Sequence, residues 1–263
     1  LCFFLQQSFC LQVMATNISG VEGNGGVYNI TPTALSKDGT VGYRKYLDFD
    51  LSQGDIANLI YHLQGKNPTT FLNLVDNKAS INGIVNTVNQ AGQFTNGHAV
   101  FISPKGVLVG PSGVMNVGSL SIFTPDTDSY EKFKKDVANP ALTKQYAERL
   151  GEGTATAQID GKVLANDFVY INAANVAVSP SGLVMAGVKN SDLITTNAQA
   201  EALFNQLVNT DNLNVGNAFA NTNGSITIRS YGSDGGTNVA GVMKNFGKGD
   251  VTITNLGSKG IVM

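Results

Sequence analysis

A turn-and-strand pattern that recurs along the chain limits the folds open to it. Ile102-Ser103-Pro104-Lys105-Gly106-Val107-Leu108-Val109 returns as Val178-Ser179-Pro180-Ser181-Gly182-Leu183-Val184-Met185, with a shorter echo at 258–262. Ser, Pro and Gly at these spacings favour a type I turn, and an apolar run enters and leaves each turn. The strands 225–228 and 250–253 also match each other, 25 residues apart. A period of about 20–30 residues with several short strands predicts a solenoid, best fitted by a right-handed parallel β-helix.

Other short β-type runs, each bounded by Gly, Asn or Pro, support an all-β fold class. They lie at 56–61, 71–75, 81–85, 99–102 and 107–109. From Val41 to Leu51 the pattern alternates, which predicts one half-buried strand with Leu47 on the face of Phe49. The run 168–171 lacks clean alternation, as expected of a strand buried on both faces of a parallel stack.

Three segments break the β pattern and predict short helical insertions. Asp126 and Asp128 can cap a helix with Tyr130, Phe133 and Val137 on its inner face. Asn139 and Pro140 predict the start of a second helix. Its inner face would carry Leu142, Tyr146 and Leu150, and Gly151 would end it. A third helix is predicted from about 198 to 208, with these residues facing inward: Ala200, Leu203, Leu207 and Val208.

The composition argues against several classes of function. Charged residues are only 14% of the chain, and 17 basic against 19 acidic side chains give a net charge of -2. This composition lacks the basic stripe of a nucleic-acid-binding protein, so we expect no nucleic acid partner. The two cysteines, Cys2 and Cys10, and the two histidines, His62 and His98, provide little material for a metal site, and no metal or other cofactor is expected.

The first fifteen residues are apolar and uncharged, and they are too short to cross a bilayer. Val13, Met14 and Ala15 have side chains that suit a signal peptidase site. We therefore interpret residues 1–15 as a truncated signal peptide, with a buried N-terminal strand as the alternative. Elsewhere no run approaches the roughly 20 apolar residues of a membrane helix, so no membrane span is expected.

Residues 27–125 resemble the N-terminal secretion domain of filamentous-haemagglutinin-type exoproteins, also called the haemagglutination activity domain of two-partner secretion. The resemblance is carried by these segments: Tyr46–Leu51, Leu72–Val75, Ala79–Val85, Val100–Gly110 and Val117–Leu120. Leu74 stands where the family has Arg, and Ser103 and Lys105 replace the two Asn of its Asn-Pro-Asn-Gly turn. The segments 42–46 and 54–60 look more like the leukotoxin-related filamentous adhesins of this group.

The resemblance implies a virulence-associated adhesin that is secreted or held at the cell surface after export through the periplasm and outer membrane. Its partner would be an outer-membrane transporter with periplasmic recognition domains, and regions downstream would bind a host ligand. Residues 16–125 would form the secretion and cap domain with the first coils, and 126–155 a helical insertion. Residues 156–263 would form further coils that continue beyond the fragment. Because a coil cannot bury its faces alone, we expect a β cap within residues 27–75.

The same resemblance supplies the candidate secretion-motif residues. They are Asn73, Asn82, Gly83, Ser103, Pro104, Lys105, Gly106 and Val107. At the turn tip, Lys105 could contact the transporter or serve only as a solubilising charge.

Other polar residues have structural interpretations that we favour over chemical ones. Asp48 and Asp50 could act as an acid/base pair or bind calcium, but they suit a solvent-facing strand edge. A hydrogen-bonded, half-buried role is expected for His62, and an exposed one for His98. The Gly-rich stretches 23–26 and 232–236 lack the Lys-Ser/Thr of a phosphate loop and predict turns.

Two alternative functions remain open. The segment itself could bind a host ligand or glycan, or it could be a polysaccharide-processing β-helix enzyme. Such an enzyme needs clustered Asp residues beside a Lys, Arg or His on one face. Here the acidic residues of the second half are scattered along the sequence, and the chain has only three arginines: Arg44, Arg149 and Arg229. We therefore expect no enzymatic activity.

Overall fold

A computed structural model describes residues 15–139, 145–209 and 223–263. The described residues form three sheets of eight strands each and two α-helices. Beyond the first few strands the chain passes through the three sheets in turn. Each pass, which we call a rung, adds one strand to each sheet beside the strand of the previous pass. This arrangement of three parallel-stacked sheets is consistent with a β-solenoid.

Sheet A has the strand order β1-β6-β9-β12-β15-β18-β21-β24. Its strands are β1 (Asn17–Ile18), β6 (Phe49–Leu51), β9 (Ala79–Ile81), β12 (Val107–Val109), β15 (Thr156–Ile159), β18 (Asn175–Val178), β21 (Thr237–Val239) and β24 (Ile261–Val262). Every neighbouring pair is parallel except β1 with β6.

Sheet B has the order β2-β3-β7-β10-β13-β16-β19-β22. Its strands are β2 (Gly23–Asn24), β3 (Val27–Ile30), β7 (Ile56–Ile60), β10 (Ile84–Val88), β13 (Val114–Val117), β16 (Lys162–Ala165), β19 (Leu183–Ala186) and β22 (Val242–Asn245). Only β2 and β3 pair antiparallel, through a turn in which Gly25 and Gly26 have positive φ.

Sheet C has the order β4-β5-β8-β11-β14-β17-β20-β23. Its strands are β4 (Ala34–Leu35), β5 (Val41–Tyr46), β8 (Thr70–Val75), β11 (His98–Ile102), β14 (Ser119–Phe123), β17 (Phe168–Ala173), β20 (Ser225–Ser230) and β23 (Val251–Asn255). The predicted 25-residue repeat is confirmed here, since Ile226 pairs with Val251 and Ile228 with Ile253. Again only the first pair, β4 with β5, is antiparallel.

One hydrophobic core draws on all three sheets. Its aromatic members lie in the first rungs, where Phe49 meets Tyr46 and Phe101 edge-to-face with ring centroids 5.2 and 5.3 Å apart. Later rungs contribute mainly Val, Ile and Ala, such as Val169 and Ile171. Because the strands are short, most of them direct only one or two side chains inward, and these stack from rung to rung into a continuous core.

The two helices cover the outer faces of sheets B and C. Helix α1 (Thr127–Asp136) is capped by Asp126, as predicted, and its Tyr130, Phe133 and Val137 pack on the outer side chains of sheet C. Helix α2 (Asn197–Val208) begins after Thr196 and packs on sheet B. The first and third predicted helices are therefore confirmed, although the prediction for the third omitted its buried Phe204.

The predicted second helix is not seen in the part that is described. Residues 140–144, which include its first positions and Leu142, lie outside the described residues. After them only a 3-10 turn (Ala147–Arg149) forms, and Tyr146 and Leu150 pack against the same cluster as α1. The ion pair between Arg149 and Asp136 joins this turn to the end of α1.

Three details of the strand predictions were wrong. The run 41–51 is two strands in different sheets, because the chain turns a corner at Leu47, which is 58% exposed. Residues 81–85 are likewise divided by a corner at Asn82 and Gly83. Strand β17 does alternate, with Val169, Ile171 and Ala173 inward, because its outer face is only partly covered.

Candidate functional site

The candidate motif residues lie at three separate places in the fold. Ser103 to Gly106 form the corner between β11 of sheet C and β12 of sheet A, and Val107 begins β12. Asn82 and Gly83 form the corner between sheets A and B, and Asn73 lies in the middle of β8. The structure therefore brings only Ser103, Pro104, Lys105, Gly106 and Val107 together as one continuous segment, of which Lys105 is exposed.

The Ser103 turn is held by bonds to the neighbouring rung. The Ser103 hydroxyl donates to the carbonyl of Asn77 (2.8 Å) and accepts from the backbone N–H of Lys105 (3.1 Å). The Gly106 N–H closes the turn on the Ser103 carbonyl at 3.3 Å. Serine thus does here, through its hydroxyl, the turn-stabilising work that Asn performs in related turns.

Close stacking explains the glycine and the valine of this turn. Gly106 has φ +104°, and a Cβ placed on it would lie 2.7 Å from the carbonyl oxygen of Thr156 in the next rung. Val107 is fully buried and pairs in register with Ala79 and Ala157. The turn is therefore enclosed between the rungs on either side of it.

Lys105 is the exposed residue of this turn, while Ser103 and Pro104 are buried. A partner that approaches the corner would meet the Lys105 ammonium group together with the outer face of sheet A. The register aligns one row of outward side chains along that face: Asp50, Ser80, Leu108, Gln158, Ala177 and Asn238. We call this set of residues, with Lys105, the sheet A face.

Most of the sheet A face is uncharged and made of small or polar groups. Asp50 is its only acidic member, and desolvation raises the pKa of this carboxyl while the Ser80 hydroxyl lowers it. Helices α1 and α2 pack on sheets C and B, whereas the outward side chains of sheet A stay half-exposed. In the three-residue strands of sheet A, a polar or half-exposed residue lies between two buried apolar ones. This alternation could have predicted the outward row of side chains, but the sequence analysis did not use it.

Asn73 and the Asn82–Gly83 corner have structural roles. The Asn73 amide is fully buried, accepts from the Tyr46 hydroxyl (2.9 Å) and donates to the Val100 carbonyl (3.2 Å). At the corner, a Cβ on Gly83 would lie 2.4 Å from the Asp55 carbonyl oxygen. These residues shape the fold that presents the sheet A face, but the buried amide cannot contact a partner directly.

The repeated Ser-Pro-x-Gly segments turn different corners. The turn at 103–106 connects sheet C to sheet A, whereas 179–182 connects sheet A to sheet B. The echo at 258–260 does turn the same corner as 103–106. The repeat therefore marks a shared turn geometry rather than one position in the coil.

The titratable candidates are held by structural contacts. Asp48 accepts from the side-chain amides of Asn17 (3.2 Å) and Asn77 (2.7 Å), which ties the first strand to the corner. His62, half-buried as predicted, lies 2.8 Å from the Asn67 amide oxygen. No group of three or more His, Cys, Asp or Glu within residues 15–139, 145–209 and 223–263 could hold a metal ion.

The prediction that His98 is exposed was wrong. It begins strand β11, its ring lies 5.0 Å from that of Phe168, and its Nε2 is 2.8 Å from the Ser121 hydroxyl. Desolvation lowers the pKa of this imidazole to about 4. Asn96 and Gly97 precede this strand at the corner between sheets B and C.

The comparisons with known proteins add nothing to the functional assignment, which depends on the sequence motifs and the fold. No family model matches the chain, and no curated protein is significantly similar to it. Among the residues described, neither helix is long and apolar enough to cross a membrane.

Proposed function

We propose that this chain is the N-terminal secretion domain of an adhesin of the filamentous-haemagglutinin type, exported by an outer-membrane two-partner transporter. In this proposal the three sheets wind as a right-handed parallel β-helix with a β cap at its N-terminal end. The domain is recognised by the periplasmic part of the transporter and then starts β-helix folding at the cell surface. The proposed function includes no enzymatic activity.

The observation that carries the folding role is the order of the strands. In each sheet the strands from β5, β6 and β7 onward follow the order of the sequence, and each pairs with the rung before it. A chain that leaves a pore N-terminus first could therefore add one rung at a time, with no strand waiting for a partner that has not yet emerged. The parallel pairs are local in the stack although distant in sequence, which suits growth from one end.

The N-terminal end supports the same role because an antiparallel strand ends each sheet there. Strand β1 covers the edge of sheet A, β2 that of sheet B and β4 that of sheet C. An unpaired first rung would expose N–H and C=O groups that favour pairing with other chains. The strands at 17–35 pair with part of this rung, so fewer of its N–H and C=O groups are open to other chains, and growth at the other end is favoured.

The sheet A face supports recognition by the transporter. Its strand side chains are half-buried, apart from the exposed Asn238, and it includes the exposed Lys105 of the corner turn. A partner strand or loop could lie across it without a large desolvation cost, since most of its side chains are uncharged.

Evidence against catalysis comes from the positions of the aspartates. Asp160 lies at a corner between sheets A and B, Asp167 between B and C, and Asp234 between C and A. They therefore project from different edges of the stack and form no acid pair of the kind that polysaccharide-processing enzymes use.

Export of a reporter fused behind residue 263 tests the recognition role. The transporter gene nearest to the gene of this chain would be expressed with the fusion. Lys105→Glu should lower export, because it reverses the one charge at the tip of the corner turn, while the buried turn residues are unchanged. Lys189→Glu, the same charge reversal at an exposed lysine after β19 of sheet B, is the control and should be exported normally. Equal export of both variants would argue against the sheet A face as the recognition surface.

Deletion of the cap tests the folding role separately. Removing residues 16–35 takes away β1, β2, β3 and β4 and exposes three strand edges, those of β5, β6 and β7. We expect the shortened chain to aggregate or to lose the cooperative unfolding transition seen by circular dichroism. A shortened chain that folds and unfolds like the full chain would remove the cap from the proposal.

A further inference from the structure

Four Asn-Gly pairs occur in the chain, at 24–25, 82–83, 96–97 and 223–224, and the fold places them in different surroundings. Asparagine before glycine is prone to spontaneous deamidation, because glycine has no side chain to hinder attack by its backbone nitrogen on the preceding side-chain amide. Whether a pair reacts in a folded chain depends on how easily its backbone can move. The pair 223–224 borders residues outside the described ranges, so only the other three have fully described surroundings.

The rung stack encloses the pair Asn82–Gly83. The N–H of Gly83 donates to the Leu51 carbonyl at 3.1 Å, and the N–H of Asn82 donates to the same oxygen at 2.8 Å. On the other side, the Ser112 hydroxyl donates to the Asn82 carbonyl at 2.7 Å. The nitrogen that would attack is therefore bonded, and the pair is held between the rungs before and after it.

The pair Asn96–Gly97 is enclosed as well. The N–H of Gly97 donates to the Thr95 carbonyl at 2.8 Å, and the Asn96 side-chain oxygen accepts from the Asn166 amide at 2.6 Å. A Cβ added to Gly118 in the next rung would lie 2.2 Å from the carbonyl carbon of Asn96. Both reacting groups are therefore held, and the pair cannot change shape unless the stack opens.

The pair Asn24–Gly25 has none of these restraints. Both residues are exposed, and the pair leads from β2 into the two-residue turn of the β2–β3 hairpin. Neither the Asn24 side chain nor the Gly25 N–H makes a hydrogen bond within the described chain, and a Cβ added to Gly25 would meet nothing within 4 Å. Strand β2 has two exposed residues and a neighbour on one side only, so it can open locally at little cost.

We infer that Asn24 is a site of spontaneous deamidation in the folded chain, whereas Asn82 and Asn96 are protected by the fold. The Gly25 backbone nitrogen forms a bond to Cγ of Asn24, and the bond from Cγ to the side-chain nitrogen breaks. That nitrogen leaves as ammonia and takes up the proton of the Gly25 amide. Water, the only co-reactant, then opens the cyclic imide at either carbonyl and leaves aspartate or isoaspartate at position 24. The inference does not rest on the proposed export role.

The product alters the N-terminal cap. Both forms replace a neutral amide with a carboxylate, and isoaspartate also adds a carbon to the backbone between positions 24 and 25. Because the register of a hairpin depends on the length and type of its turn, the pairing of Asn24 with Val27 should be lost in the isoaspartate form. Strand β2 covers the edge of β3, so its release would open the edge of sheet B.

Ageing of the whole folded chain in mildly alkaline buffer, followed by digestion and mass spectrometry, tests the site. Methylation by an isoaspartate-specific methyltransferase identifies the isoaspartate product. Deamidation at Asn24 should be at least about tenfold faster than at Asn82 or Asn96, because those pairs react only when the stack opens. A sample unfolded in urea is aged in parallel until all three positions are modified, and there their rates should be similar.

Hydrogen exchange of residues 23–28 measures the effect on the cap. Exchange should rise with ageing in the wild type and in Asn238→Gln, the matched control at an exposed asparagine that valine follows. It should stay constant in Asn24→Gln, since glutamine forms the corresponding imide far more slowly. The inference is overturned if Asn24 stays intact in the folded chain, or if Asn82 or Asn96 reacts there as fast. Unchanged exchange after isoaspartate has formed at position 24 would refute the effect on the cap.

Discussion

Substitution of Gly106 by alanine tests how the corner turn depends on the rung above it. Two costs combine at this position. A positive φ costs a residue with a Cβ about 1–2 kcal/mol, and the new methyl group would lie 2.7 Å from the Thr156 carbonyl oxygen. Because the oxygen belongs to a backbone paired on both sides, it can move little, and crowding of this kind costs about 1–3 kcal/mol.

The matched controls separate these two costs. Gly54 has φ +89° with nothing within 4 Å of an added Cβ, so Gly54→Ala carries only the conformational cost of about 1 kcal/mol. Gly83 has no positive φ, but its added Cβ would meet Asp55 and Ser52 carbonyl oxygens at 2.4 and 2.6 Å, so Gly83→Ala carries only crowding. We expect about 3 kcal/mol for Gly106→Ala.

Thermal unfolding followed by circular dichroism measures the difference. For a domain of this size, 1 kcal/mol shifts the midpoint by about 2–4 °C. Gly106→Ala should therefore lower it by about 6–12 °C and Gly54→Ala by about 2–4 °C. If Gly106→Ala and Gly54→Ala shift the midpoint equally, contact with the next rung plays no part and the stacking argument for this turn fails.

Three further predictions concern other parts of the fold. Because burial lowers the pKa of His98 from 6.5 to about 4, the unfolded chain binds a proton that the folded one does not. The contribution of the neutral His98 imidazole to the free energy of unfolding is therefore present above pH 6.5. It is lost as the pH falls to about 4, at about 1.4 kcal/mol per pH unit and by about 3 kcal/mol in total. Urea unfolding of wild type and His98→Gln should show this slope only in the wild type; equal slopes would contradict it. Phe204→Ala, in the α2 contact with sheet B, should lower the free energy of unfolding by about 3–5 kcal/mol, and a change below 1 kcal/mol, measured in the same assay, would mean that α2 adds little stability. Asn73→Ala leaves the buried Tyr46 hydroxyl without its acceptor and should cost about 1–3 kcal/mol; a double-mutant cycle with Tyr46→Phe would show no coupling if that bond is unimportant.

Local signals in the sequence predicted many of the elements. The apolar run 107–109 became a strand with its predicted bounds, and the runs 71–75 and 99–102 each lengthened by one residue at the start. Asp126 and the i, i+3, i+7 spacing of Tyr130, Phe133 and Val137 were sufficient for α1. These features depend on interactions within a few residues, which periodicity and capping chemistry describe well.

Features that depend on contacts with other rungs could not be predicted from local sequence patterns. Leu47 follows the alternation of its neighbours, yet it is exposed because a corner falls there. His98 follows an Asn-Gly pair typical of an exposed turn, yet Phe168, far along the chain, covers its ring. Nothing near Tyr61 in the sequence indicates that its ring will lie against Gly97, much further along the chain.

The sequence by itself determined most of the short strands, the Ser-Pro-x-Gly turns and the two places where α1 and α2 leave the stack, since apolar spacing, Pro and Gly act locally. Only the tertiary structure decided which sheet each strand joins, which corner each Ser-Pro-x-Gly turn occupies and which face stays open to a partner. The physical reason is that backbone pairing between rungs joins residues 19 or more positions apart, as in the pairing of Thr156 with Asn175 and of Ile226 with Val251. Such pairing is selected by the fit of the whole stack rather than by any single segment.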